Sequence, residues 1–109
     1  MEVNRGDVVT IALPGDYGKP RPALVIQSDA FSALDSVTVL RVTSDMHNFP
    51  LFRITVEPNS ENGLVKRSQI MIDKAAAVPR AKIGHRIGRI DTDTMRQVSD
   101  ALFDFLDLK

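Results

Sequence analysis

The sequence predicts a mainly β (α+β) fold, in which a small, strongly bent sheet or barrel carries a C-terminal amphipathic helix. Several short runs are rich in β-branched residues, turn signals separate them, and the C-terminal stretch has apolar residues at helical spacing. The chain has 109 residues, the size of one domain with a modest core. We therefore expect a single domain over residues 1–109.

The predicted strands are short and lie between turns. Residues Pro14–Pro20 contain two prolines and two glycines, which favours a loop, and Pro58–Gly63 is a strong turn signal. The strands predicted around them are Val8–Leu13, Ala23–Gln27, Val37–Thr43, Leu51–Val56, Met71–Asp73 with Ala75–Val78 extending or following it, and His85–Ile90.

One or two short helices are expected besides the terminal one. Ser28–Asp35 is a polar connection with a helical turn, and Leu64–Ile70 begins as a short helix before it runs into a strand. The terminal helix has the clearest pattern, because apolar residues from Met95 to Leu106 recur at i, i+3 and i+4. An Asp or Thr within Asp91–Thr94 serves as its N-cap.

The composition excludes several kinds of site and location. The chain has no cysteine, so it has no disulfide framework, no thiolate zinc site and no cysteine nucleophile. The polar segment from Met1 to Gly6 lacks the apolar region of a signal peptide. No apolar run approaches the roughly 20 residues that a membrane-spanning helix needs. We therefore expect a cytoplasmic protein that does not act on a membrane.

The charge is unevenly distributed although the formal net charge is zero. Residues 64–90 contain seven Lys or Arg and one acid, whereas the segments on either side are both acidic. A basic middle segment supplies a local site for a polyanion, or else it is an ordinary solvated face. With zero net charge, any phosphate binding has to be local.

Familiar catalytic signatures are absent from the sequence. It has no nucleophile elbow, no zinc-protease motif, no P-loop and no dinucleotide fingerprint. His47 and His85 are far apart and lack metal-ligand spacing, so each is interpreted as a surface or turn histidine. We expect neither a metal nor a cofactor.

The candidate site residues are polar side chains at strand ends. Arg21 lies between Pro20 and Pro22, which fix the backbone on either side, and a fixed guanidinium suits a phosphate. The alternative is an ordinary loop arginine. Thr43 and Ser44 end the third strand and either donate to a phosphate or form a turn. Asp73 is either a base or an ion-pair partner of Lys74 or Arg67.

Two sequence blocks resemble the MazF/PemK toxin family. The chain opens with Arg5-Gly6-Asp7-Val8-Val9, and a loop then ends in Gly18-Lys19-Pro20-Arg21-Pro22-Ala23-Leu24-Val25-Ile26. The family pattern has R-G-D followed by hydrophobic residues, and later an R-P pair followed by a hydrophobic run. The resemblance continues through Thr43-Ser44, Pro50, the segment from Gly63 to Val78 and the terminal helix.

The resemblance implies a compact SH3-like, PemK-type barrel assembled as a homodimer. It implies metal-independent, sequence-specific cleavage of single-stranded mRNA, in which the 2′-hydroxyl attacks the neighbouring phosphorus and leaves 2′,3′-cyclic phosphate and 5′-hydroxyl ends. The family's arginine falls on Arg21, which would neutralise phosphate charge and protonate the leaving oxygen. Its hydroxyl falls on Thr43, and Asp73 aligns with an acid that some members use.

The sequence departs from the family pattern in the later segment. Members that use the acid often have an arginine two residues earlier, where this chain has Met71, and Ala75–Ala77 also lacks an arginine. Other residues are therefore candidates to bind RNA: Ser44, Lys19, Arg80, Lys82 and Arg86.

The resemblance also implies a partner and leaves two alternative functions open. The implied partner is a small antitoxin whose disordered acidic or hydrophobic tail lies across the RNA groove. One alternative is a gyrase poison on the same fold, resembling CcdB, but that group acts through a C-terminal tryptophan and this chain has none. The other alternative is a binding module that has lost catalysis.

Overall fold

The computed structural model describes residues 2–15 and 18–108. Its strands form one six-stranded antiparallel sheet in the order β4-β5-β3-β2-β1-β6. The predicted mainly β fold with a C-terminal helix is confirmed. The elements are β1 (Asp7–Ile11), β2 (Arg21–Val25), β3 (Ser36–Thr43), β4 (Arg53–Val56), β5 (Ser68–Pro79), β6 (Ile83–Arg89) and helix α1 (Thr92–Phe105).

Both faces of the sheet are buried, which explains the nearly continuous apolar runs of its strands. Alternate residues of a strand point to opposite faces. In β1, Val8 packs in one hydrophobic cluster and Val9 in another, and Leu24 and Val25 of β2 divide in the same way. The first cluster also includes Val98 of α1. Helix α1 therefore covers one face.

The sheet curls until the segment between β4 and β5 rests on β6. The backbone N–H of Arg89 donates to the carbonyl oxygen of Glu61 at 2.7 Å. Gly88 permits this approach, because a Cβ there would lie 2.3 Å from the carbonyl carbon of Asn62. Within the described residues, β4 and β6 do not pair as strands. The predicted bent sheet is therefore observed as an open barrel, with one loop contact between the β4–β5 segment and β6.

The Arg5-Gly6-Asp7 segment ties the N-terminus to β6 and α1. Asp7 is 1% exposed, and its Oδ1 lies 2.8 Å from Nη1 of Arg89 and 3.0 Å from Nε of Arg86. The Arg5 guanidinium donates to the carbonyl of Ile26 and, at 2.7 Å, to the hydroxyl of Ser99. These contacts make the segment part of the structural framework.

Helix α1 begins at the predicted N-cap. The carboxylate of Asp91 accepts hydrogen bonds from the hydroxyl of Thr94 at 2.7 Å and from its backbone N–H at 3.0 Å. These two bonds, the hydroxyl's first, hold the pKa of Asp91 below its ordinary value because they favour the charged form. The helix buries Val98, with Met95 and Leu102 packed beside it.

The structure corrects the prediction of a short helix in Leu64–Ile70. The side-chain oxygen of Asn62 accepts from the backbone N–H of Leu64 at 3.0 Å, and Leu64 is buried in the core. The chain then bends and enters β5 at Ser68. The short 3₁₀ helices lie at Asp29–Phe31, within the predicted helical turn, and at Arg80–Lys82.

Candidate active site

A cleft of about 710 Å³ opens on the side where β1, β2 and β3 face the segment between β4 and β5. It brings together residues that are far apart in the sequence, from five strands or the turns beside them. Its lining residues are Thr10, Pro20, Arg21, Pro22, Arg41, Val42, Thr43, Ser44, Asp45, Gly63, Leu64, Val65, Lys66, Ser68, Met71 and Ile87.

Arg21 and Thr43 both line the cleft, at the ends of two neighbouring strands. Arg21 is the first residue of β2, between two prolines that restrict the backbone, and its side chain is exposed to the cleft. The β2–β3 pairing joins Ala23 to Arg41, Leu24 to Leu40 and Val25 to Val39. Continuing this antiparallel register by two residues places Arg21 opposite Thr43, so both meet a molecule in the cleft.

Thr43 can form a turn and donate to a phosphate at the same time, although the sequence presented these roles as alternatives. Its Oγ1 accepts a hydrogen bond from the backbone N–H of Asp45 at 3.0 Å, which forms the turn after β3. A hydroxyl has one hydrogen to donate besides the oxygen lone pairs. The turn uses a lone pair, and the hydrogen of the hydroxyl can be donated to an anion in the cleft. Ser44 lines the cleft beside it.

Two further cations in the cleft were not selected from the sequence. Arg41 precedes Thr43 by two residues in β3, and Lys66 lies in the bend after Gly63. Strand alternation was the available signal for Arg41, because residues i and i+2 share a face. With Arg21, the lining residues within 2–15 and 18–108 include three cations and one carboxylate, that of Asp45. The cleft therefore favours an anion.

The four cations that were predicted from the sequence to bind RNA are not among the lining residues. The guanidinium of Arg80 donates to the carbonyls of Leu34 and Ser32, and that of Arg86 pairs with the buried Asp7. Lys82 is exposed at the end of a 3₁₀ helix. Lys19 is exposed and adjoins Pro20, which lines the cleft. Of the seven basic residues in 64–90, Lys66 alone is among the described lining residues.

The structure does not bring Asp73 into the cleft. Its Oδ1 lies 3.2 Å from Nε of Arg53 on β4, and its Oδ2 lies 3.8 Å from Nζ of Lys74. The ion-pair interpretation therefore holds for Lys74, whereas Arg67 pairs with Glu57 at 2.7 Å. Met71, two residues before Asp73, does line the cleft.

Residues 2–15 and 18–108 contain neither a metal-ligand cluster nor a helix that could cross a membrane. No three histidine, aspartate or glutamate side chains gather there in a group that could hold a metal ion. No helix there combines the length and the apolar character needed to cross a membrane.

The chain matches a protein family and a named relative over nearly its whole length. The family of PemK-like, MazF-like toxins of type II toxin–antitoxin systems matches residues 4–106. A probable endoribonuclease MazF from Mycolicibacterium smegmatis is 46% identical over 105 residues, which are 95% of this chain and 96% of that protein.

Solved structures share the fold at low sequence identity. An endoribonuclease from a mycobacterial species, in complex with its cognate antitoxin, has a TM-score of 0.83 at 20% identity, covering 98% of this chain and 97% of that chain. The Mycobacterium tuberculosis toxin MazF-mt6 has a TM-score of 0.80 at 22% identity, covering 94% and 98%.

Proposed function

Since the chain belongs to the PemK-like, MazF-like family of type II toxin–antitoxin toxins, we propose that it is an endoribonuclease that cleaves single-stranded mRNA at specific sequences without a metal ion. The observation that carries the proposal is the placement of Arg21 opposite Thr43 at the wall of one cationic cleft. The 46% identity to a probable endoribonuclease supports it.

Arg21 and Thr43 position the scissile phosphate and stabilise its charge. The 2′-oxygen forms a bond to the neighbouring phosphorus as the bond from phosphorus to the 5′-oxygen breaks, which gives a 2′,3′-cyclic phosphate and a 5′-hydroxyl. Negative charge grows on the phosphate oxygens in the transition state, and fixed donors aimed at those oxygens lower the barrier. Arg21 supplies a forked cation and Thr43 an O–H donor.

Solvent completes the proton transfers of this step. The 2′-hydroxyl loses a proton, and the leaving 5′-oxygen gains one. An arginine stays protonated throughout the accessible pH range, so Arg21 acts here as a charge stabiliser, and water in the open cleft carries the protons. This assignment departs from the expectation that Arg21 itself protonates the leaving oxygen.

This chain has Met71 at a position where the family pattern often has an arginine. Arg41 and Lys66 supply positive charge to the cleft instead. Both hold the RNA backbone next to the scissile phosphate, with Ser44 as an additional donor. Lys19 extends this contact beyond Pro20. Arg80 and Arg86 hold the fold together, and Lys82 lies outside the cleft lining, so we assign these three residues no contact with RNA.

The test is incubation of the purified chain with several single-stranded RNAs of varied sequence in excess EDTA, followed by analysis of the new ends. Cleavage at defined sites with 2′,3′-cyclic phosphate and 5′-hydroxyl ends is expected. Intact RNA after incubation with folded protein contradicts the proposal and favours the binding module or the gyrase-poison alternative.

An antitoxin whose acidic segment occupies the same cleft is the proposed partner. A mycobacterial protein of the same fold was solved with its cognate antitoxin, and the three cations in the cleft complement carboxylates. We expect an acidic peptide of the antitoxin to inhibit cleavage and RNA to relieve the inhibition. Full inhibition at saturating RNA would show that the peptide and the RNA do not share the cleft.

We also propose that the chain acts as a homodimer in the cytoplasm, where mRNA is present. The end of α1 leaves Phe103, Phe105 and Leu106 about half exposed, and an apolar surface of this kind is commonly covered by another chain. Sedimentation at micromolar concentration should give twice the chain mass, and a species of 12.1 kDa contradicts the dimer.

A further inference from the structure

The connection from β3 to β4 carries three rings that stack on one another. The ring centroids of His47 and Phe49 are 5.5 Å apart with planes at 11°, and those of Phe49 and Phe52 are 5.1 Å apart with planes at 15°. We call these three rings the aromatic stack. The guanidinium carbon of Arg53 lies 5.9 Å from the centroid of Phe49 and 5.8 Å from that of Phe52.

Buried polar groups hold the aromatic stack in place. Gln69 is 4% exposed; its side-chain oxygen accepts from the backbone N–H of His47 at 3.1 Å and its amide nitrogen donates to the carbonyl of His47 at 2.7 Å. Oδ1 of Asp73 lies 3.2 Å from Nε of Arg53, whose guanidinium lies near the rings of Phe49 and Phe52. Because a buried amide and a carboxylate fix a surface loop, the rings are preorganised.

The aromatic stack faces solvent at the edge of the cleft. Phe49 is 43% exposed, and the side chain of His47 is 45% exposed. Asp45, which lines the cleft, contacts Nε2 of His47 through Oδ2 at 3.2 Å. The stack therefore begins two residues after Asp45, where this stretch of the cleft lining ends.

We propose that the aromatic stack binds a nucleobase of the RNA strand whose phosphate lies in the cleft, a proposal that rests on the proposed ribonuclease function. Sites for single-stranded nucleic acids combine a positive groove for the backbone with aromatic faces on which bases stack. The cleft supplies three cations and the adjoining loop supplies flat rings. Asp73 then serves as a positioning residue that acts through Arg53.

Equilibrium binding tests the proposal independently of cleavage. Uniformly 2′-O-methylated RNA lacks the attacking hydroxyl, so its Kd can be measured whether or not the chain cleaves RNA. Phe49→Ala removes the middle ring, on which both His47 and Phe52 stack. It should therefore raise this Kd about tenfold, the contribution of one base stacked on an aromatic ring. The matched control is Phe31→Ala, since Phe31 is 57% exposed and lies outside both the cleft and the loop. It should leave Kd unchanged.

A second arm varies the RNA, and its first comparison uses only the wild-type chain, so that comparison does not depend on the folding of a variant. Oligonucleotides with one abasic position at a time should lose about tenfold in affinity at one position, and Phe49→Ala should cause no further loss at that position. Cleavage of unmodified RNA reports separately on the ribonuclease.

Two results overturn the proposal. One is an unchanged Kd for Phe49→Ala together with equal affinity for every abasic oligonucleotide. The other is an unchanged Kd for RNA while an acidic antitoxin peptide binds Phe49→Ala more weakly, which assigns the aromatic stack to the protein partner. Cleavage by the wild-type chain in either case leaves the proposed function intact.

Discussion

The Nη1 atom of Arg89 lies 2.8 Å from Oδ1 of Asp7, whose side chain is almost completely buried. Arg86 shares the same carboxylate oxygen. The acid of the R-G-D segment thus joins β1 to β6. The same carboxylate also accepts a hydrogen bond from the backbone N–H of Asn4 at 2.8 Å. Because both arginine side chains are about half exposed, water compensates part of their charge when Asp7 is removed.

Asp7→Ala should therefore lower the free energy of unfolding by about 2 kcal/mol, the scale of losing hydrogen bonds to a charged group. Urea denaturation measures the change. Asp100→Ala is the control, because Asp100 is exposed on α1, and it should change stability little. Equal stability of the two variants would show that the buried pair does not hold β1 against β6.

Asp73→Asn should affect stability more than the chemical step. The substitution weakens the bond from Asp73 to Arg53. The Arg53 side chain is only 11% exposed, so water replaces the bond poorly, and an unsatisfied group of this kind costs about 1 to 3 kcal/mol of stability. Because Asp73 lies outside the cleft lining, kcat should fall less than about tenfold, well short of the loss expected for a donor to the phosphate. A loss of kcat as large as that of Arg21→Ala would restore Asp73 as a catalytic residue.

Gly88→Ala should open the contact that closes the bent sheet. The new Cβ would lie 2.3 Å from the carbonyl carbon of Asn62 and 2.4 Å from the carbonyl oxygen of Glu61, so the segment before β5 has to move. Overpacking of this kind typically costs about 1 to 3 kcal/mol. Hydrogen exchange at the Arg89 amide, which donates to Glu61, should be faster. Unchanged protection there would contradict the closure.

Asp91→Ala should destabilise the chain in a pH-dependent way. Hydrogen bonds from Thr94 lower the pKa of Asp91 in the folded state, so its stabilising contribution is fully present above the unfolded pKa and is lost as pH falls through the folded pKa. The variant should lose about 1 kcal/mol at neutral pH. The difference from wild type should shrink below about pH 4, and a constant difference down to pH 2 would contradict the N-cap assignment.

The sequence was sufficient for elements whose pattern is local. The β-branched run Val37–Thr43 corresponds to β3, and the apolar spacing after Asp91 corresponds to α1 with its N-cap. The resemblance carried by the R-G-D and R-P blocks is confirmed by the family match over residues 4–106. Arg21 and Thr43 were singled out as polar residues at strand ends, and the resemblance gave them their roles; the structure shows that both line one cleft.

What the sequence could not predict depends on contacts between distant residues. Leu64 starts no helix because the side chain of Asn62 captures its N–H and the core buries it. Asp73 pairs with Arg53, twenty residues earlier, only because β4 and β5 are neighbours. The cationic segment 64–90 is not one patch, because folding directs Arg86 to Asp7 and Lys66 to the cleft.

The most direct test of the central claim compares Arg21→Ala with Lys82→Ala in single-turnover cleavage of RNA in EDTA. Both side chains are exposed cations, and only Arg21 lines the cleft opposite Thr43. Arg21→Ala should slow cleavage by about 10² to 10³, as the loss of one charge-stabilising donor does, whereas Lys82→Ala should cleave at the wild-type rate. Equal rates for the wild type and both variants would contradict the assignment of this cleft as the active site.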